Sequence, residues 1–283
     1  MRLRALIAAG LGSLAIAGIL GGCGSSAVVV DPLARAAEAT SNVGGAHTEL
    51  SARIQGTGLP QPVSLDGGGY FNFSTHEGTL TVQLTGFPSA AGLGSQPTMQ
   101  EIYKGSDLYV GSSLFAGELP TGAKWMKIDI SRLGQAAGLN PSQLLNGESN
   151  PTQILQYLKA SGASVAEVGT QRIRGVPTTH YSGTINIEKA AAALGGAADG
   201  AAQKAVSTLG VSDLPVDVWV DSHDLVRRLQ VTLSTPPSAG HLQVQINLEL
   251  FDFGATPPVS VPAASETFEA SSTGLSGLAA AAE

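Results

Sequence analysis

The residue with the clearest chemical potential is Cys23, the only cysteine in the 283-residue chain. It follows an apolar run from Ala5 to Leu20, and Arg2 and Arg4 form a short basic segment before that run. A basic segment, an apolar segment and small residues before a cleavage point form the layout of a secretory signal peptide. A signal peptide that is only cleaved needs no cysteine at this point, so the Cys23 thiol is expected to have a separate chemical role.

The four residues Leu20-Gly21-Gly22-Cys23 resemble a bacterial lipobox, in which the thiol receives a diacylglycerol and the cysteine becomes the first mature residue. On that resemblance, residues 1–22 are a lipoprotein signal peptide, Cys23 is the lipidation site and residues 23–30 are a lipidated tether. Cys23 would hold the protein at the cell membrane, on its extracytoplasmic face. The alternative is a signal-anchor helix with an incidental cysteine, but its sixteen apolar residues fall short of the ~20 that span a bilayer.

The charge balance narrows the choice of partners. The formal net charge is −7, and removal of Arg2 and Arg4 with the signal peptide gives −7 − 2 = −9 for the exported part. Nucleic-acid binding needs clustered Lys and Arg, so an acidic chain of this kind predicts no nucleic-acid partner. With Cys23 acylated, no thiol remains for a disulfide or a metal thiolate.

Signatures of catalysis and of cofactor binding are absent from the sequence. It contains no Gly-x-Ser-x-Gly or Ser-x-x-Lys nucleophile motif, no phosphate loop and no dinucleotide-binding glycine motif. Asp217, Asp221, His223 and Asp224 form the nearest acidic cluster, but these residue types are typical of a turn between strands. The pair His180-Tyr181 could act as acid and base, although an exposed strand position explains it better. We therefore expect no enzyme activity, no metal site and no cofactor.

The remaining pattern predicts an α+β domain built on a large antiparallel sheet. Asp31-Pro32 is a good start for a helix, because Asp caps the first turn and Pro suits the first helical position. From His47 to Gln55 apolar and polar residues alternate, as in a half-buried strand. Short strands joined by tight turns favour a meander. Strands are predicted at 64–74, 79–85, 99–104, 107–111, 124–129, 163–170, 171–176, 178–187, 216–221, 229–233 and 242–250, and helices at 131–137, 151–160 and 188–209.

The three closing strands carry the clearest alternation and predict a broad apolar wall. Side chains at every second position would line one face of the sheet, with Ile246 in the middle of the longest run. A ligand-binding cavity would have this wall on one side and helices 151–160 and 188–209 on the other. The predicted wall residues are Val218, Val220, Leu229, Val231, Val244, Ile246 and Leu248.

Three stretches in order resemble the actinobacterial lipoproteins of the LppX/LprA/LprF/LprG type, which are related to the LolA/LolB lipoprotein-carrier fold. They are Lys124-Trp125-Met126-Lys127-Ile128-Asp129, then Val168-Gly169 through Arg174-Gly175-Val176-Pro177 to Thr184, and Val216-Asp217-Val218-Trp219-Val220-Asp221 with Leu225-Val226-Arg227-Arg228. The resemblance implies a strongly curved antiparallel sheet, a half-barrel, covered by a few helices over an apolar cavity. It places a lipid-binding domain at residues 31–262 and a disordered tail at 263–283.

The resemblance also implies a function. A cell-envelope lipoprotein of this type would bind the acyl chains of a lipid or glycolipid in its cavity for lipid transport, with an envelope lipid transporter as a further partner. The alternative is an interaction or sensor lipoprotein whose core is filled by its own side chains. Alternation along the strands does not separate the two, because a dry core and a lipid cavity need the same side chains.

Overall fold

A computed structural model describes most of the chain beyond the predicted tether. The described residues are 32–57, 59–86, 97–114, 117, 119–132, 165–194, 203, 206–207, 210–237, 240–254 and 257–270. Cys23 and the predicted helix at 151–160 lie outside them, as do most of the predicted helices at 131–137 and 188–209. Within the described residues, neither α-helix combines the length and the apolar character needed to cross a membrane.

The described elements are two α-helices, one short 3-10 turn and twelve strands. The helices are α1 (Pro32–Asn42) and α2 (Ile187–Leu194), and the 3-10 turn is Ala264–Glu266. The strands are β1 (Gly45–Gln55), β2 (Val63–Asn72), β3 (Glu77–Thr85), β4 (Thr98–Lys104), β5 (Asp107–Ser112), β6 (Trp125–Asp129), β7 (Ala166–Ile173), β8 (Val176–Asn186), β9 (Asp213–Asp221), β10 (Val226–Ser234), β11 (Gln243–Phe251) and β12 (Thr267–Glu269).

All twelve strands belong to one sheet, in the order β12-β6-β5-β4-β3-β2-β1-β11-β10-β9-β8-β7. Every pairing is antiparallel except that of β12 with β6. The sheet is open and does not curl into a closed barrel, because β12 and β7 at its two ends do not pair. The predicted fold class, an antiparallel sheet with a few helices, is confirmed. The strong curvature of a half-barrel and the apolar cavity, both implied by the family resemblance, are not shown.

Helix α1 packs on one face of this sheet, which we call the inner face. Its apolar stripe of Leu33, Ala36, Ala37 and Thr40 is buried, as the helical period predicts. The Thr40 hydroxyl accepts a hydrogen bond from the backbone N–H of Val226 at 3.0 Å, which joins the helix to the start of β10. The core that α1 forms with the sheet contains Leu33, Ala36, Ala37, Ala46, Phe71, Phe73, Ile185, Val216, Val218, Val220, Val226, Leu229 and Leu250.

The structure corrects two predicted segments. Residues 166–186 form two strands where the sequence predicted three, because the turn falls at Arg174-Gly175, where both residues have positive φ (49° and 80°). This two-residue turn fits the twist of a hairpin. The prediction of a disordered tail from residue 263 is wrong for residues 264–269, since β12 pairs with β6 there. Residues 264–269 are held by backbone hydrogen bonds to β6 and by an ion pair between Glu266 and Lys124. Because these partners are distant in the chain, the local composition of the segment did not predict them.

Two glycines of β2 are required by the close approach of β3. A Cβ added at Gly67 would lie 2.1 Å from the carbonyl oxygen of Thr81, and one at Gly69 would lie 1.8 Å from that of Thr79. Real Cβ atoms essentially never come this close to a backbone atom. The inner face therefore carries bare backbone at these two positions.

We predict that Gly69→Ala destabilises the protein by about 3 kcal/mol, because β2 and β3 must move apart to admit the methyl group. Gly117→Ala is the matched control, since nothing lies within 4 Å of a Cβ at that position. The check is the free energy of unfolding of both variants in urea. Equal stability of the two variants would contradict the close approach of β2 and β3.

Candidate functional site

The strand register brings all seven predicted wall residues to the inner face. Leu229 of β10 lies opposite Val218 of β9 on one side and Leu248 of β11 on the other. Val231 likewise lies opposite Ile246 of β11. The assignment of these side chains to one face therefore agrees with the register, whereas their role in holding a ligand stays a prediction.

Burial divides this wall into two parts. Val218, Val220 and Leu229 are buried in the core under α1. Val231 and Leu248 are half-buried and pack against that core. The place of Ile246 in a ligand-binding wall stays a prediction, but its side chain is 39 % exposed and lies outside the buried core. The reason is that α1 covers the end of the sheet where β10 begins, whereas Ile246 pairs farther along β10.

The accessible part of the inner face continues onto β1 and β2. Leu50, Ala52 and Ile54 of β1 lie opposite Leu248, Ile246 and Val244 of β11. Each of these side chains is half-buried or exposed, and they form one continuous apolar surface. We call this surface the apolar belt; it consists of Leu50, Ala52, Ile54, Leu65, Val231, Leu233, Val244, Ile246 and Leu248.

The predicted wall included four members of the belt, all on β10 and β11: Val231, Val244, Ile246 and Leu248. The alternation of β1 was visible in the sequence, but its pairing with β11 joins residues about two hundred positions apart. No local pattern predicts such a pairing. An apolar surface of this kind binds by area and shape and needs few polar contacts.

The opposite, outer face carries a network of ion pairs. Glu49 of β1 and Glu249 of β11 are directly opposite each other in register, and like charges in such a pair repel. Arg174, from the β7–β8 turn, binds both carboxylates, with its Nε 2.7 Å from Glu249, and its guanidinium lies 4.0 Å above the Phe251 ring. Arg228 donates to the other oxygen of Glu249 at 3.0 Å. The two arginines therefore offset the repulsion between the glutamates.

This network shifts the pKa of Glu249. Partial burial alone would raise the pKa, but the hydrogen bonds and charges of Arg228 and Arg174 outweigh burial and lower it below its ordinary value of 4.5. The ionised form of Glu249 is thus more favoured in the folded protein than in the unfolded chain.

The two clusters considered for chemistry have structural roles. His180 lies on the outer face, stacked on Trp219 with ring centroids 4.3 Å apart and its Nε2 2.9 Å from Asp217. Tyr181 points to the inner face and packs against the core, so these two side chains do not meet. Asp221 is buried and accepts hydrogen bonds from the turn that follows it. Within the described residues, no group of three or more His, Cys, Asp or Glu could hold a metal ion.

No protein-family model matches the chain. It is 31 % identical over 256 residues to an uncharacterized 31.2 kDa protein of Streptomyces griseus, covering 84 % of this chain and 79 % of that protein. It is 30 % identical over 202 residues to a putative lipoprotein of Streptomyces coelicolor, covering 69 % of this chain and 60 % of the relative. The chain belongs to the family of the Streptomyces griseus protein.

The chain is also similar to solved structures that include LprF and the lipoprotein LppX. LprF from Mycobacterium bovis has a TM-score of 0.46 and 13 % identity over 82 % of this chain and 95 % of its own. The Mycobacterium tuberculosis lipoprotein LppX has a TM-score of 0.45 and 18 % identity over 81 % of this chain and 96 % of its own.

We predict that Arg174→Ala destabilises the protein by about 1–2 kcal/mol at pH 7, because Glu49 and Glu249 then face each other with one arginine instead of two. A carboxyl whose folded pKa is lowered stabilises the fold above its ordinary pKa and loses that contribution as pH falls through the folded pKa. The deficit of the variant should therefore shrink as the pH falls below 4.5.

The measurement is chemical denaturation of Arg174→Ala between pH 3 and pH 7, together with two companion variants. Replacing Glu49 by Gln in the Arg174→Ala background should restore part of the lost stability, since it removes the repulsion. Arg132→Ala removes an ion pair with Asp129 in which the arginine side chain is 85 % exposed. It should lower the free energy of unfolding by less than about 0.5 kcal/mol. A deficit that stays constant with pH would show that Arg174 acts through packing alone.

Proposed function

We propose that the chain is a lipoprotein of the cell envelope, anchored at the extracytoplasmic face of the membrane through Cys23, that binds lipid acyl chains on its apolar belt for lipid transport. No catalytic step is required for this function. Similarity to a putative lipoprotein of Streptomyces coelicolor supports the anchor. The division of the inner face supports the binding of lipid.

The observation that carries the proposal is the contrast within one face of the sheet. Where α1 covers the inner face, the apolar side chains are buried. On the belt, which continues the same face over β1, β10 and β11, the apolar side chains are only half-buried or are exposed. Ile246, at the middle of β11, is 39 % exposed. An acyl chain laid on this surface gains roughly 0.8 kcal/mol per buried methylene, before the cost of ordering the chain.

The alternative function is an interaction or sensor lipoprotein with a filled core. The core that α1 forms with the sheet is the observation that favours it, because its thirteen residues are buried against one another. The two functions differ in whether the belt itself binds lipid, so the decisive experiment alters the belt and leaves the core intact.

We predict that Ile246→Asp abolishes the recovery of bound lipid and lowers stability by only about 1 kcal/mol. The exposed position lets the carboxylate stay hydrated, whereas a charge in the middle of the belt is incompatible with an acyl chain. The measurement is mass spectrometry of lipids extracted with organic solvent from the full-length protein, which was purified from a host with native envelope lipids. Melting temperature is measured in parallel.

Gln245→Asp is the matched control, since the same side chain is introduced one residue away on the outer face. It should retain the lipid recovered with the unaltered protein. Lipid that survives in both variants would place binding away from the belt, and no lipid in the unaltered protein would favour the sensor function.

Replacement of the anchoring residue gives a separate prediction. Cys23→Ser should abolish incorporation of labelled fatty acid and move the protein out of the membrane fraction or leave the unprocessed precursor, because serine lacks the thiol that accepts the diacylglycerol. Ser25→Ala, two residues beyond the cysteine, should still be labelled. Normal labelling of Cys23→Ser would rule out lipidation at that residue.

A further inference from the structure

One carboxylate lies on the inner face among apolar neighbours. In register, Glu101 of β4 lies opposite Leu80 of β3 and Val110 of β5, and Val110 is buried. Residues two apart on a strand share a face, so Glu101 lies on the same side as Tyr103, which packs against the core. Glu101 is thus an acidic side chain on an otherwise apolar part of the sheet.

The contacts of Glu101 differ from those of nearby acids. The Tyr103 hydroxyl donates a hydrogen bond to its Oε2 at 2.6 Å. Glu77 is paired with Lys104 at 2.7 Å and Asp107 with Lys127 at 3.2 Å, whereas no cation pairs with Glu101 among the described residues. Half-buried and held by one hydroxyl, this carboxylate can accept further hydrogen bonds from a ligand.

The position of Glu101 relative to the belt suits one end of a lipid. Through the register Glu101 is level with Leu250 of β11, four strand spacings away, which is about 19 Å at roughly 4.8 Å per spacing. The belt begins at the next inner-face position of β11, Leu248. The acyl chain of one leaflet spans about 15 Å, half of a bilayer's hydrocarbon core. Between the two strands, Gly67 and Gly69 leave β2 without inner-face side chains at two successive inner positions. A lipid with its tail on the belt could therefore place its polar end at Glu101.

We propose that Glu101, positioned by the Tyr103 hydroxyl, is the headgroup-selecting residue of the lipid site and favours lipids whose polar end carries hydroxyl groups. This inference rests on the proposed function. A headgroup hydroxyl donates to the carboxylate, and hydrogen bonds to a charged acceptor are stronger than neutral ones. A lipid with a fully esterified glycerol has no such donor, and an anionic phosphate headgroup is repelled by the carboxylate.

The test is a competition among three lipids with identical dipalmitoylglycerol bodies and different third substituents: a glucosyl group, an acetyl group or a phosphate. The full-length protein is incubated with mixed vesicles that contain equal amounts of the three, re-isolated, and its bound lipids are quantified by mass spectrometry. We expect the unaltered protein to capture the glucosyl lipid about tenfold over the acetyl lipid. The phosphate form should be captured least.

Four variants separate selection from structure. Glu101→Leu should bring the glucosyl-to-acetyl ratio close to one while acetyl-lipid capture persists, and Glu101→Gln should lower the ratio partly and admit more of the phosphate lipid. Tyr103→Phe should lower the ratio by a smaller factor, because the carboxylate remains but loses its positioning donor. Gln100→Leu, at the neighbouring exposed position on the other face, should leave the ratio unchanged. Melting temperatures confirm that each variant is folded.

The outcomes are distinguishable. A glucosyl-to-acetyl ratio that is unchanged in both folded Glu101 variants overturns the role of Glu101 and leaves lipid binding by the belt standing. If Glu101→Leu fails to fold, the ratio in Glu101→Gln decides the question. Failure of the unaltered protein to capture any of the three lipids overturns both the selection and the proposed function.

Discussion

The antiparallel pairing of β1 with β11 is the contact on which the rest of the sheet depends. It joins nine residue pairs that are far apart in the chain. On the β1 side of this contact the sheet continues through β2–β6 to β12, and on the β11 side it continues through β10, β9 and β8 to β7. Both faces of this seam are used. Its inner side chains form the centre of the apolar belt, and its outer side chains include the opposed pair Glu49 and Glu249.

The opposed glutamates explain why the outer face carries its network where it does. Two like charges in register would weaken the seam, and Arg174 reaches from the β7–β8 turn to bind both. Arg174 also has a positive φ of 49°, a conformation that costs energy in a residue with a side chain. In this conformation Arg174 forms ion pairs that connect the β7–β8 hairpin to the seam. These ion pairs offset the energetic cost of the positive φ. Outer-face electrostatics and inner-face apolar surface are therefore linked through the same two strands.

The inner face combines two properties that a lipid site needs in different places. The core beneath α1 is filled and anchors the sheet, whereas the belt is accessible and apolar, and Glu101 places one acceptor beyond it. A sheet buried uniformly by its own helices would have no surface to offer, and one without the α1 core would have no fixed shape. The proposed function follows from this division rather than from any reactive group.

Features that depend only on neighbouring residues could be predicted from the sequence alone. The period of α1, the alternation in β1 and β9–β11 and the candidate lipidation site at Cys23 depend on neighbours within a few residues, so composition and spacing were enough to predict them. The tertiary structure decided what depends on distant pairing. Four features depend on segments far apart in the chain. They are the β1–β11 seam, the parallel pairing of β12 with β6, the contact of Arg174 with two strands, and the absence of a covering element that leaves Ile246 exposed. Because an alternating strand has an apolar face whether or not another element covers it, only the tertiary structure shows which part of that face is core and which part stays accessible.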